Sequence, residues 1–199
     1  MNYESLRFAH FQPQAVEAMA LTADRELLAV ARENNAIEIW LRETWVQLLV
    51  IPGNKNCAIR RIHWVEKHPT ASSDRKEANP LFSRQGEARR LVTTGLNGVV
   101  LEWDLLTHQA KVKLSVNTAI WDSKVVGKNL YLACEDGSIK TVRVKKDSIE
   151  LTRTGMRSEA RCLSLEVSRD QRFVYGGYAD SSVRKWSVDT LHCDLHFLK

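Results

Sequence analysis

A hairpin layout occurs four times along the 199-residue chain and limits what the chain can fold into. Each copy has a short apolar strand, a turn containing Asn, Asp or Gly, and a second strand that ends on a bulky residue. The turns are Asn34-Asn35, Asn97-Gly98, Asp136-Gly137 and Asp180-Ser181. The bulky residues are Trp40, Trp103, Val142 and Trp186. Apolar strands joined by such turns are typical of antiparallel hairpins, so the chain is predicted to consist of a repeated β unit.

The turn residues also predict the backbone conformation of these hairpins. Both central residues of a type I′ turn need positive φ, which Asn, Asp and Gly tolerate better than other residues. Asn97-Gly98 and Asp136-Gly137 are therefore expected to form type I′ turns. Asn34-Asn35 and Asp180-Ser181 are expected to form weaker versions of the same turn.

Each hairpin is flanked by one further strand on either side, which gives four strands per unit. The bulky residues of the last three units are about 40 residues apart, which is the spacing of WD40 blades. The predicted fold class is therefore all-β, a WD40-type β-propeller with four visible blades. The blades span residues 12–52, 57–116, 117–154 and 158–198. The structural blade positions are Trp40, Trp103, Asp104 and Trp186.

The interval between the first two bulky residues is longer by about twenty residues, and the excess lies in residues 66–88. This segment holds two of the four prolines and few apolar residues, so it is predicted to be a solvated loop inserted into blade two. WD40 rings have about seven blades, so the four blades are expected to belong to an incomplete or truncated ring. Residues 6–10 are expected to form a strand ahead of blade one. The isolated chain is expected to be an open wedge that needs a longer product or a partner.

Composition and motifs argue against several classes of function. No apolar run approaches the ~20 residues of a membrane helix, so no membrane contact is expected. The four cysteines are widely separated, which argues against a disulfide framework or a zinc ribbon. His192 and His196 would lie roughly 13 Å apart along a strand, too far to share one metal ion. No phosphate-binding loop or nucleophile elbow occurs, so no cofactor, small-molecule substrate or enzymatic activity is expected.

Basic residues suggest where a polyanion would bind. Residues 55–90 hold nine Lys and Arg against four acids, and this excess equals the net charge of +5. Such residues contact RNA phosphates, and a solvated loop is the alternative. The candidate RNA or partner contacts are Arg60, Arg61, Lys67, Arg75, Lys76, Arg84, Arg89, Arg90, Arg157 and Arg161. A further group is expected to face outward on strands, with an extended positive surface as the alternative: Lys140, Arg143, Lys145, Lys146 and Arg153.

Several colinear stretches resemble one family. GLNGVVLEWDL at residues 95–105 resembles the second blade of cirhin, a nucleolar WD40 protein associated with the U-three small nucleolar RNA. AIW at 119–121 with CEDGSIK at 134–140 is similar to its third blade, and ARCLSL at 160–165 to the start of its fourth. AVAR at 29–32, IEIW at 37–40 and PG at 52–53 are similar to its first. Together these stretches cover nearly the whole chain.

The resemblance implies a non-enzymatic scaffold of the small-subunit processome, which assembles on the 5′ external spacer of pre-ribosomal RNA. Family members support 18S rRNA maturation and, in some systems, ribosomal DNA transcription. The implied partners are other processome proteins and pre-rRNA or a small nucleolar ribonucleoprotein, in the nucleolus of the nucleus. Two alternatives remain. One is a generic WD40 adaptor, such as a ligase substrate receptor. The other is a propeller hydrolase, for which the inner strands offer only Glu17, Asp122 and Glu166 as acids.

Overall fold

The computed structural model describes residues 14–55, 57–65, 81 and 89–197. Within these residues the regular secondary structure is all strand, with no helix. In chain order the strands are β1 (Val16–Leu21), β2 (Leu27–Arg32), β3 (Ile37–Leu41), β4 (Val46–Ile51), β5 (Ile59–Trp64), β6 (Leu91–Gly95), β7 (Val99–Asp104), β8 (Gln109–Ser115), β9 (Ile120–Val126), β10 (Asn129–Cys134), β11 (Ile139–Val144), β12 (Ile149–Thr154), β13 (Cys162–Val167), β14 (Phe173–Tyr178), β15 (Val183–Ser187) and β16 (Cys193–Phe197).

The strands form four antiparallel sheets, and each sheet contains four strands that are consecutive in the chain: β1 to β4, β5 to β8, β9 to β12 and β13 to β16. Each sheet is one β-propeller blade, so the predicted all-β propeller fold is confirmed. Of the predicted insertion at residues 66–88, only Leu81 is described, and it packs against the core between the first two blades. The strand expected at residues 6–10 lies outside the described residues.

The sheets pack face to face in chain order. Side chains alternate between the two faces of a strand, so each sheet buries one set of apolar residues against the sheet before it and another against the sheet after it. Three apolar cores result, one between each pair of consecutive sheets. The inner strands follow the same order, since β1 contacts β5, β5 contacts β9, and β9 contacts β13. The inner strands therefore lie next to one another and bring their polar side chains together.

The bulky residue of each repeat has the same register in every blade, as the sequence predicted. Trp40, Trp103, Val142 and Trp186 lie opposite Leu28, Leu91, Leu130 and Val174 on the neighbouring strand. Trp103, Val142 and Trp186 are buried in the core shared with the preceding sheet. Trp40 is only half-buried, because its face of the first sheet has no preceding sheet among the described residues. Exposed Met19 and Leu21 lie on that same face.

The four repeat turns join hairpins as predicted, but the prediction of type I′ geometry was wrong. Only the second residue of each turn has positive φ: Asn35 (65°), Gly98 (71°), Gly137 (74°) and Ser181 (68°). The amide of Asn35 donates to the carbonyl of Arg32 at 2.8 Å, and the other turns have the same bond. This is a type I turn followed by one left-handed residue. The first turn residue stabilises it, since Asp136 Oδ1, for example, accepts from the Ser138 amide at 3.1 Å.

Gly137 occupies a left-handed position that also touches the next blade. A Cβ added there would lie 2.3 Å from the carbonyl oxygen of Ser158, in the connection to β13. We expect Gly137→Ala to lower the free energy of unfolding by about 2 to 3 kcal/mol, because left-handed strain and overlap with backbone atoms add. Gly127 is the matched control, since its φ is +60° but an added Cβ would meet nothing within 4 Å. Gly127→Ala should cost about 1 kcal/mol. Urea denaturation measures the free energy of unfolding of both variants. Equal losses of stability in the two variants would contradict the close contact between Gly137 and Ser158.

Candidate nucleic-acid and partner interface

Three ion pairs link the inner strands of successive blades. Arg60 on β5 bonds Glu17 on β1 at 3.3 Å. Arg61 bonds Asp122 on β9 at 2.6 Å. Lys124 on β9 bonds Glu166 on β13 at 2.8 Å. Arg60 and Arg61, two of the candidate RNA contacts, therefore each bind a carboxylate of a neighbouring blade.

Asp122 is the best-connected of these carboxylates. Its Oδ2 accepts a hydrogen bond from the Leu165 amide at 2.8 Å, and its Oδ1 accepts one from the Ser123 amide at 2.8 Å. A propeller hydrolase would need an acid and a base that are free to reach a substrate. The three inner-strand acids considered for that role, Glu17, Asp122 and Glu166, each bind a cation of the adjacent blade instead. Their arrangement fits cohesion between blades rather than proton transfer.

His63 on β5 belongs to the same inner region. Its Nε2 lies 2.8 Å from Ser123 Oγ, which in turn lies 2.7 Å from Thr94 Oγ1. Burial disfavours the charged imidazolium and lowers the pKa of His63 to about 4, although the nearby Asp122 carboxylate acts in the opposite direction. The neutral ring therefore joins the second and third blades at physiological pH.

The lowered pKa of His63 makes stability depend on pH in a defined window. In the unfolded chain a histidine binds its proton near pH 6.5, whereas in the folded chain His63 does so near pH 4. The unfolded state thus binds more protons between these values, so acidification from pH 6.5 to pH 4 should reduce the free energy of unfolding by about 2 to 3 kcal/mol. Denaturant titrations across this range measure the effect. His63→Gln should remove this loss, and a His63→Gln variant that keeps it would contradict the assignment.

Arg89 and Arg90 also bind carboxylates. The side chain of Arg89 is 1% exposed, and its Nη2 contacts Asp24 at 2.7 Å and Glu26 at 2.8 Å, both in the turn before β2. Arg90 makes two bonds to Glu102, at 2.7 and 2.6 Å. It also donates to the Lys145 carbonyl of the third blade at 2.6 Å. The guanidinium groups of both residues are therefore engaged between blades, which leaves little of their charge for a phosphate.

Arg157 and Arg161 lie in the connection before β13, at the end of the sheets opposite to Arg89 and Arg90. Their side chains are 74% and 54% exposed, and each is near one carboxylate: Asp136 at 3.6 Å and Glu135 at 3.5 Å. Exposed pairs of this length contribute little to stability, so these two arginines remain accessible to a partner. The other candidate contacts, Lys67, Arg75, Lys76 and Arg84, lie outside the described residues.

The remaining structural positions have local roles. Trp103 Nε1 donates to Thr93 Oγ1 at 2.9 Å, so its buried polar group has a partner. Asp104 Oδ1 accepts from the amides of Leu106 at 2.8 Å and Thr107 at 3.3 Å. The Leu106 amide in particular holds the pKa of Asp104 below its usual value. Asp104 thus stabilises the turn between β7 and β8.

Buried cysteines and metal-ligating residues add no reactive centre in the part of the chain that is described. Burial raises the pKa of the Cys134 and Cys162 thiols to about 12, so both stay protonated. No group of three or more His, Cys, Asp or Glu side chains is placed to hold a metal ion there. The side chain of His196 lies outside the described residues. None of the described elements is a helix long and apolar enough to span a membrane.

Comparison with known proteins gives a consistent set of relatives. No protein-family model matches the chain. It is 30% identical over 197 residues to U3 small nucleolar RNA-associated protein 4 of Saccharomyces cerevisiae, covering 92% of this chain and 23% of that protein. It is 27% identical over 198 residues to the homologue of that protein in Homo sapiens, covering 92% of this chain and 26% of the human protein.

These proteins are homologues of the chain. The homologue in Mus musculus is 26% identical over 201 residues, covering 94% of this chain and 26% of the mouse protein. The chain spans about a quarter of the length of these curated relatives. The similarity supports the family found by resemblance, without deciding which member the chain corresponds to.

Proposed function

We propose that the chain is a non-enzymatic scaffold of the small-subunit processome that acts in pre-rRNA processing and 18S rRNA maturation, and that supports ribosomal DNA transcription. The observation that carries this proposal is similarity over more than nine-tenths of the chain to three proteins named for their association with U3 small nucleolar RNA. Its proposed partners are other processome proteins and pre-rRNA or the small nucleolar ribonucleoprotein.

The geometry is suited to a scaffold. Each pair of consecutive blades is held by an apolar core and by an ion pair between inner strands, so the blades present their turns in a defined arrangement. The four blades are proposed to be part of a larger ring, since relatives are about four times as long and since one face of the first sheet carries exposed apolar residues. In such a ring another blade would cover Trp40, as the first blade covers Trp103.

Affinity purification of the tagged gene product from its own cells, followed by mass spectrometry and RNA quantification, tests this function. Processome proteins and U3 small nucleolar RNA should be enriched over a tag-only control. Enrichment of ubiquitin-ligase subunits without U3 RNA would contradict the proposal and would favour the adaptor alternative.

A further inference from the structure

Unpaired basic residues are concentrated on the third and fourth blades. Among the described residues, twelve Lys and Arg side chains form ion pairs with carboxylates, and eleven do not. Six of these eleven, all exposed, lie on the third and fourth blades. We call them the seam patch: Lys128, Arg143, Lys146, Arg153, Arg169 and Arg172.

Two hydrogen bonds place Arg172 of the seam patch near the third blade. The Val188 amide donates to the Arg172 carbonyl at 2.9 Å, and the Tyr131 hydroxyl of the third blade donates to the Val188 carbonyl at 3.1 Å. Arg172 therefore lies near Tyr131 on β10, next to the strand that carries Arg143.

The third blade places its own members in register. Arg143 is opposite Asn129, Arg153 is opposite Thr141, and Thr141 is in turn opposite Tyr131. All of these residues share the face of the third sheet that looks toward the fourth. The Val144 amide donates to the Lys128 carbonyl at 2.9 Å, which sets Lys128 at the same end of the sheet.

The charge of the seam patch is only partly balanced. Four acids lie in the same turns and strands: Asp147, Glu150, Asp170 and Asp189. Asp147 lies 3.7 Å from Lys111, and Glu150 is bonded to Lys145 at 2.5 Å, so both already have cations outside the patch. Asp170 accepts from Ser168 Oγ at 2.6 Å and from the Arg172 amide at 3.1 Å. Asp170 and Asp189 thus offset at most two of the six cations, and positive charge remains in excess.

The chemistry of the seam patch fits phosphates better than a protein surface. Four of its six members are arginines, whose planar guanidinium groups bind phosphate oxygens in pairs. Protein interfaces depend on buried aromatic or aliphatic anchors, and the patch has none, since Tyr131 is buried and exposed Leu151 pairs with Val142 on the opposite face. Without an exposed aromatic to stack on bases, the patch has no means of reading sequence.

We propose that the seam patch binds the phosphate backbone of RNA without sequence preference. This inference rests on the proposed function for the identity of the polyanion. It places RNA contact on the third and fourth blades rather than on the basic segment at residues 55–90, where the four described arginines bind carboxylates, three of them on neighbouring blades.

Fluorescence anisotropy with the 199-residue chain, fused to a soluble carrier, tests the proposal against two labelled stem-loop RNAs of equal length and scrambled sequence. Arg143→Gln, Arg153→Gln and Arg172→Gln combined should weaken binding of both RNAs at least tenfold at 100 mM salt. The slope of log K against log salt should flatten by about 2, as expected for three lost phosphate contacts. Replacing the same three residues by Lys should retain most of the slope, because the charge is kept.

The matched control removes three exposed, unpaired cations elsewhere: Arg25→Gln, Arg42→Gln and Lys113→Gln. It changes the net charge equally and should shift the affinity less than threefold. Equal losses in both triple variants, or full-strength binding by the seam variant, would overturn the proposal. The proposal would also be overturned if polyglutamate displaced the labelled RNA as well as unlabelled RNA does at the same concentration of charge. The surface would then suit an acidic protein rather than RNA.

If U3 RNA co-purifies normally with the seam variant from cells, the site is wrong while the proposed function stands. If U3 RNA does not co-purify with the wild-type protein either, the proposed processome function is wrong.

Discussion

Trp103→Ala will lower the free energy of unfolding by about 3 to 5 kcal/mol, the range for removing a large aromatic side chain from a core. Trp103 is 6% exposed and packs in the core between the first and second blades. Its removal leaves a cavity there and deprives Thr93 of its indole partner. Chemical denaturation of the chain measures the loss. A change below about 1 kcal/mol would show that this residue is not a core position.

Trp40 provides a matched control for Trp103, because it has the same register in its blade but a different environment. It is half-buried, and its indole nitrogen donates to Glu38 Oε2 at 3.0 Å. Trp40→Ala should therefore cost only about 1 to 2 kcal/mol in the isolated chain, since less apolar area is buried. A loss of stability as large as that of Trp103→Ala would mean that another molecule or another part of the chain covers the free face of the first sheet.

Arg89→Met should lower the free energy of unfolding by about 3 to 4 kcal/mol, because the variant removes the buried cation of an ion-pair cluster and leaves the Asp24 carboxylate uncompensated. Asp24 reports the same interaction. Burial alone would raise its pKa, but hydrogen bonds from Arg89 and Thr22 outweigh burial and lower the pKa to about 2. The stabilisation from Asp24 is present above its unfolded pKa near 4 and is lost as the pH falls toward 2. In the Arg89→Met variant, the part of the acid-induced loss of stability that is due to Asp24 should largely disappear.

The control for Arg89 replaces the whole cluster, as Arg89→Met with Asp24→Asn and Glu26→Gln. Replacing the ion-pair cluster as a unit leaves no uncompensated charge at Asp24, so stability should recover to within about 1 kcal/mol of the wild type. Urea denaturation at pH 7 compares the variants. A triple variant as unstable as Arg89→Met would show that lost packing, rather than unpaired charge, explains the effect.

The repeated hairpins made the fold predictable from sequence. Their strand patterns and turn residues are local signals, and the register of Trp40, Trp103 and Trp186 follows from them. The turn type was not predictable from the dipeptides alone. Asn and Asp also favour a type I turn through a side-chain bond to the amide two residues later, and that bond forms here.

The interface was less predictable, because its charges pair across blades. Arg61 and Asp122 are 61 positions apart, and Arg89 and Asp24 are 65 apart, so no local pattern shows that these cations are neutralised. Sequence proximity was also misleading for the other basic residues. Arg153 precedes Arg157 and Arg161 in the chain, yet it shares a face of the third sheet with Arg143. Lys140, expected to face outward, is buried and donates to the Val116 carbonyl at 3.0 Å.

Crosslinking of the tagged protein to RNA in its own cells, followed by sequencing of the bound RNA, is the most direct test of a processome scaffold. We expect enrichment of U3 small nucleolar RNA and of reads from the 5′ external spacer of pre-rRNA over a tag-only control. We also expect the variant with Arg143, Arg153 and Arg172 replaced to lose most of the spacer reads, while the Arg25, Arg42 and Lys113 control keeps them. If the wild-type protein recovered these RNAs only at the level of the tag-only control, it would not be a processome scaffold.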